Sequence, residues 1–218
     1  MKIMLYSSYS TMPNSDVLKM FDHPPKTCLF CAYADENAPS YVNRAKQHLS
    51  QVFDTIVDLT PKTNLNQKFD CIFVNGGVAF ELIYKLKKYN QFDKIKKMVE
   101  DGALYIGNSA GSEVCSKDIM FVNEYEPPNI PIDIEENRYG FGFVEEKVLV
   151  EASRLGYSKK HGLFTDSRNY HNYLVYKTKY KDSIKIGNNA VAIINNGEIK
   201  VKKYPWKKIV EMNQKEEK

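Results

Sequence analysis

At 218 residues the chain is long enough to bury one α/β core and too short for two ordinary domains plus a linker. Hydrophobic residues make up 43% and charged residues 27%, a balance that excludes a disordered or fibrous chain. The formal net charge of +4 comes largely from Lys-rich stretches at 85–97 and 202–208, which read as solvated surface, so nucleic acid is not an expected partner.

The apolar run 1–6 breaks at once into Ser7-Ser8-Tyr9-Ser10, unlike a signal peptide. No apolar stretch approaches the roughly 20 residues of a membrane span. A cytoplasmic location with no membrane partner is expected, and Cys28, Cys31, Cys71 and Cys115 suit a reducing compartment. Cys28 and Cys31 have redox spacing but lie in an extended apolar run, where alternation sends them to opposite faces. They are read as buried structural residues. No metal site and no cofactor are expected.

Short apolar runs at 2–6, 27–32, 55–59, 70–74 and 103–106 read as buried strands. Between them, 41–53, 80–89 and 92–99 carry apolar residues at helical spacing. Strands alternating with helices predict a doubly wound α/β fold with a mainly parallel sheet flanked by helices. After position 123 an acidic, Pro-rich stretch to 137 reads as an irregular loop. A strand follows at 147–150, 168–176 is ambiguous, and Asn195-Asn196-Gly197 between two apolar runs signals a hairpin. One domain is expected over 1–205, with 206–218 a polar tail.

Gly107-Asn108-Ser109-Ala110-Gly111 follows the strand at 103–106 and precedes a segment, 112–115, that can start a helix. A nucleophile at the tip of a strand-to-helix turn needs small neighbours because the backbone bends sharply. The other reading of the same residues is a Gly-rich turn with a capping Ser.

The stretch from Cys71 through Asn75-Gly76-Gly77-Val78-Ala79-Phe80 to the Ser109 pentapeptide resembles the peptidase E family of serine peptidases, family S51. Weaker echoes lie in Arg138-Tyr139-Gly140-Phe141-Gly142-Phe143-Val144 and Asn188-Asn189-Ala190-Val191-Ala192. The resemblance implies a fold like that of class I glutamine amidotransferases. It also implies a small peptide as substrate, aspartyl dipeptides being among those of the family, Ser109 as nucleophile, and the amides of Gly77 and Ala110 as the oxyanion hole. It places Glu124, after Asn123, where the family's acidic triad member lies. The family turn usually reads Gly-Gly-Gly-Asn-Thr-Phe, so two polar positions are apolar here. At the family's His position this chain has Glu151.

Three explanations of that departure are open. His161 folds back as base; Glu151 is itself the base, with Glu124 raising one carboxyl pKa; or catalysis has lapsed and the pocket only binds. His171 is a backup base, while His23 and His48 read as structural. Arg154 is a candidate contact for a substrate carboxylate.

Overall fold

The computed structural model describes residues 1–34, 38–153, 156–158, 162–164 and 167–215. In chain order the elements begin with β1 (Lys2–Tyr6), α1 (Asn14–Leu18), β2 (Thr27–Cys31), α2 (Pro39–Leu49), β3 (Thr55–Asp58), β4 (Cys71–Val74), α3 (Ala79–Lys88), α4 (Phe92–Glu100), β5 (Leu104–Asn108) and α5 (Ala110–Glu113). Then come a 3-10 turn (Met120–Glu124), β6 (Lys147–Leu149), β7 (Gly156–Ser158), β8 (Gly162–Phe164), α6 (Ser167–Thr178), β9 (Ser183–Lys185), β10 (Ala190–Asn195), β11 (Glu198–Lys203) and α7 (Trp206–Lys215).

Seven strands form one sheet in the order β11-β10-β1-β5-β4-β2-β3. The five strands anticipated from apolar runs, β1 to β5, are its parallel part, and the β10–β11 hairpin adds two antiparallel strands beside β1. The hairpin turn places Asn196 at φ 51° and Gly197 at φ 85°, which is why an Asn-Gly pair sits there.

Both faces of the sheet are buried, and strand alternation divides them. Ile3, Leu5, Ile72 and Val74 point into one apolar layer with Phe80, Ile83 and Leu86 of α3 and Ile95 and Val99 of α4. Met4, Tyr6, Cys71 and Phe73 point into the other, with Ala45 and Leu49 of α2. Cys31 faces the first layer and Cys28 the second, as their spacing predicted. All four cysteines are free and buried. Complete burial of Phe80, Ile83 and Leu86 contributes on the order of 2 kcal/mol each, enough to pin α3 against the strand ends that matter below.

Two segments differ from the sequence reading. The ambiguous stretch at 168–176 is inside α6. Residues 206–215 of the expected tail form α7, because Ile209 buries completely in the second layer with Trp206 packed beside it. The largely polar composition of that segment masked its anchoring side chain.

The edge strand β11 is tied back to α1 by a buried carboxylate. Asp16 is 7% exposed; Tyr204 donates to it at 2.7 Å, Lys19 at 3.1 Å, and Lys202 also donates. Burial pushes the Asp16 carboxyl up, but the hydrogen bonds from Lys202, Tyr204 and Lys19 outweigh it and bring the pKa from 3.8 to about 2. A lowered folded-state pKa gives stability that is complete above the unfolded value and disappears as pH falls through the folded one. The expected result is a loss of about 2 kcal/mol between pH 4 and 2 as Asp16 protonates, read by denaturant unfolding across that range. Asp16→Asn should flatten this part of the acid limb, and an unchanged slope would remove Asp16 as its cause.

Candidate active site

The parallel strands β1, β5, β4 and β2 all end at the same edge of the sheet, and β5 lies between β1 and β4. The residue after β5 is Ser109, with φ 52° and ψ −119°, and α5 begins at the next residue. This is the strained strand-to-helix turn anticipated from the pentapeptide, and a non-glycine residue holds it only because its surroundings fix it. Ser109 N–H donates to Tyr6 O at 2.9 Å, and Ser109 O accepts from Ser112 N–H at 2.7 Å. The Ser112 hydroxyl accepts from Tyr6 N–H at 3.0 Å and lies 2.8 Å from both Tyr6 O and Gly107 O. Tyr105 OH donates to Gly111 O at 2.6 Å.

On the β4 side of the elbow, the turn Asn75-Gly76-Gly77 approaches the end of β2. Gly77 has φ 108°, and a Cβ there would sit 2.2 Å from Ala34 O, so no other residue fits. The amides of Gly77 and Ala110 take part in no hydrogen bond among the described residues. Asn75 and Asn108, two residues before Gly77 and Ala110, are buried and bonded to each other, with Asn108 Nδ2 donating to Asn75 Oδ1 at 2.9 Å.

On the β1 side, the chain leaves β1 at Ser7, and this is where Glu151 arrives. Glu151 N–H donates to Ser7 Oγ at 2.9 Å, and Ser7 Oγ–H donates to Ile186 O at 2.6 Å. Ala152 N–H donates to the same Ile186 O at 3.0 Å. Glu151 has φ 56°, a left-handed conformation that costs a side-chain-bearing residue about 1–2 kcal/mol. Tyr6 O binds Ser109 while the adjacent Ser7 binds Glu151, so one strand end positions both residues. The two flanks of Ser109 therefore differ: free backbone donors toward β4, and a tethered, strained carboxylate residue toward β1.

Glu124 lies at the end of the 3-10 turn and is half-exposed. Its carboxylate is ion-paired with Lys179 at 2.5 Å. The hydrogen-bonded Lys179 ammonium holds its carboxyl below the usual value, so the upward shift expected from a second carboxylate is not found at Glu124. Sequence reasoning passed over a different acid. Glu113, in the short helix after Ser109, is 1% exposed and accepts from Tyr125 OH at 2.6 Å. Burial and then the Glu113 charge push the Tyr125 phenol well above its ordinary value. The available signal was a carboxylate one helical turn beyond the elbow Ser. Ser7 and Asn108 were also missed as site residues, although polar side chains at the carboxyl end of buried strands mark ligand sites in open α/β sheets.

His161 and Arg154 lie outside the described residues. His171 is exposed on α6, His23 is exposed, and His48 is buried with Nε2 2.9 Å from Met12 O. Among the described residues no group of three or more His, Cys, Asp or Glu is placed to hold a metal ion, and no helix is long and apolar enough to cross a membrane. A cavity of about 760 Å³ opens at the opposite end of the strands, between Lys2, Phe21, Phe69 and Leu104, and does not include Ser109.

The model of peptidase family S51 matches residues 5–202, the span from β1 through β11 that contains the elbow and both of its flanks. The chain belongs to peptidase family S51. Among individual S51 relatives, a peptidase E of Haemophilus influenzae is 29% identical over 138 residues, covering 57% of this chain and 63% of the relative. A peptidase E of Shewanella amazonensis is 40% identical over 63 residues, 28% of this chain and 27% of the relative. An uncharacterised peptidase of Listeria innocua is 30% identical over 112 residues, 47% of this chain and 54% of the relative. The matched stretches thus span less than two thirds of these relatives. A crystal structure of a candidate peptidase E from Listeria monocytogenes superposes with a TM-score of 0.73 at 21% identity, covering 94% of this chain and 98% of that one. The S51 fold, a mostly parallel sheet between helices like that of class I glutamine amidotransferases, is therefore the fold of this chain.

Proposed function

We propose that this S51 protein is a serine-type peptidase that cleaves small peptides through Ser109, with N-terminal aspartyl dipeptides the first class to test. The observation that carries the reading is the left-handed Ser109 between a buried strand and a helix, a conformation with a cost that a plain capping serine does not incur. In this scheme Ser109 Oγ attacks the scissile carbonyl carbon as its proton passes to the base. The carbonyl oxygen becomes an oxyanion held by the amides of Gly77 and Ala110. Collapse then breaks the C–N bond, and the proton goes to the leaving amine. Glu151 is taken as the base, a reading supported by the Ser7 hydroxyl, which holds the Glu151 backbone N–H beside the strand end that also binds Ser109.

The same Glu151 at the family's His position supports a second reading, in which the site binds peptides without cleaving them. Fluorophosphonate reagents separate the two, since only an activated serine reacts. The expected result is one label per chain on Ser109, absent in Ser109→Ala. An unlabelled wild-type protein with no hydrolysis of an aspartyl dipeptide would leave the binding reading in its place.

A further inference from the structure

We infer that Asn75 and Asn108 form a positioning pair that fixes the separation of the two oxyanion-hole donors, an inference that rests on Ser109 being the nucleophile. The donors come from different strands: Gly77 follows β4 and Ala110 follows β5. Val74 and Gly107 are paired across these strands, so Asn75 and Asn108 are the next residues in line, where the ladder ends and the chains diverge. Beyond that point the ladder no longer sets the gap between the two segments. The Asn108 amide replaces it, donating to Asn75 Oδ1 at 2.9 Å and to Tyr41 OH of α2 at 3.0 Å. Asn75 is held in turn by its N–H, which donates to Cys31 O at 2.8 Å.

The energetics point the same way. Asn108 is 0% exposed and Asn75 1% exposed, and Asn108 Oδ1 has no hydrogen-bond partner among the described residues. Burying an amide with one polar atom unsatisfied is worse for folding than an apolar residue of similar size. A side chain kept there at that cost is explained by what its other atom holds. An oxyanion hole works only when both N–H groups lie at hydrogen-bond distance from the same developing charge, and a small widening loses one of them.

The test is the rate of inactivation by a fluorophosphonate, whose phosphoryl oxygen occupies the same hole. In Asn108→Ala and in Asn75→Gly the limiting inactivation rate is expected to fall roughly 10- to 100-fold, while half-saturation changes less than about twofold. Final labelling should still reach one per chain, which a merely structural defect would reduce by leaving part of the protein unfolded. The double variant should be no slower than the slower single variant, because either substitution already breaks the link. If Asn108→Ala does not fold, Asn75→Gly decides alone, since glycine fits the turn. Single-variant rates within twofold of wild type, or losses that multiply in the double variant, would overturn the pair. If the wild-type protein is not labelled at Ser109, the peptidase reading fails and this inference fails with it. Labelling at Ser109 with unaffected Asn variants removes only the pair.

Discussion

Gly111→Ala is expected to cost the protein about 3 kcal/mol or more and to lower its unfolding midpoint by roughly 10 °C. A Cβ at Gly111 would lie 2.0 Å from Val74 O and 3.1 Å from Asn75 O, both backbone atoms. Neither can retreat, because Val74 is held in the β4–β5 and β2–β4 ladders and Asn75 by its bond to Cys31 O. The helix carrying Gly111 must move instead, and Ala110 moves with it. Fluorophosphonate labelling should therefore fall even in the fraction that stays folded. Gly142→Ala separates strain from collision: Gly142 has a positive φ, 67°, which helical Gly111 does not, and no atom lies within 4 Å of its added Cβ, so strain alone should cost about 1 kcal/mol. Equal losses at the two positions would show that the helix yields cheaply to the added Cβ and that collision with Val74 O does not dominate the cost at Gly111.

That contrast also marks what was legible in the sequence. The Gly-x-Ser-x-Gly spacing announced the elbow in part because one of its collisions is local: a Cβ at Gly107 would lie 2.5 Å from Gly111 O, whereas the one at Gly111 involves Val74 on a neighbouring strand. Four of the five parallel strands, β1, β2, β4 and β5, were legible because both faces of each are buried, giving short unbroken apolar runs, while β3 at the sheet edge is only partly covered. What spacing did not reveal depends on strands brought side by side by the fold. Ser7 binds Glu151 across 144 positions, and Asn108 meets Asn75 across 33. Glu113 was passed over because its burial depends on Tyr125, twelve positions away, whose hydroxyl donates to it. Helix α7 looked like a tail because only Ile209 of its described side chains is fully buried among lysines. At Glu124 the place in the family pattern was legible, but not the Lys179 ammonium that pairs with its carboxylate.

The departure at Glu151 yields the prediction with the largest effect on activity. A residue held at φ 56° by Ser7 carries strain that glycine would not, so a stability test and an activity test can be set against each other at one position. Glu151→Gly should keep or raise the unfolding free energy, by up to about 1 kcal/mol, because glycine adopts the left-handed region freely. Its hydrolysis of an aspartyl dipeptide should nevertheless fall about 10²- to 10⁴-fold, the usual contribution of a general base. Glu151→Gln keeps the shape and the strain, removes the proton acceptor, and should lose as much activity as the glycine variant. The pH dependence separates this base from His161. A carboxylate base is lost by protonation, so activity should persist down to roughly pH 4 to 5 and drop below it, whereas an imidazole base gives an acid limb near pH 6.5. Full activity in both Glu151 variants, with loss in His161→Ala and an acid limb near neutrality, would transfer the role to the histidine. A Glu151→Gly protein that is both more stable and inactive would instead identify the strain at this position as the cost of holding the base.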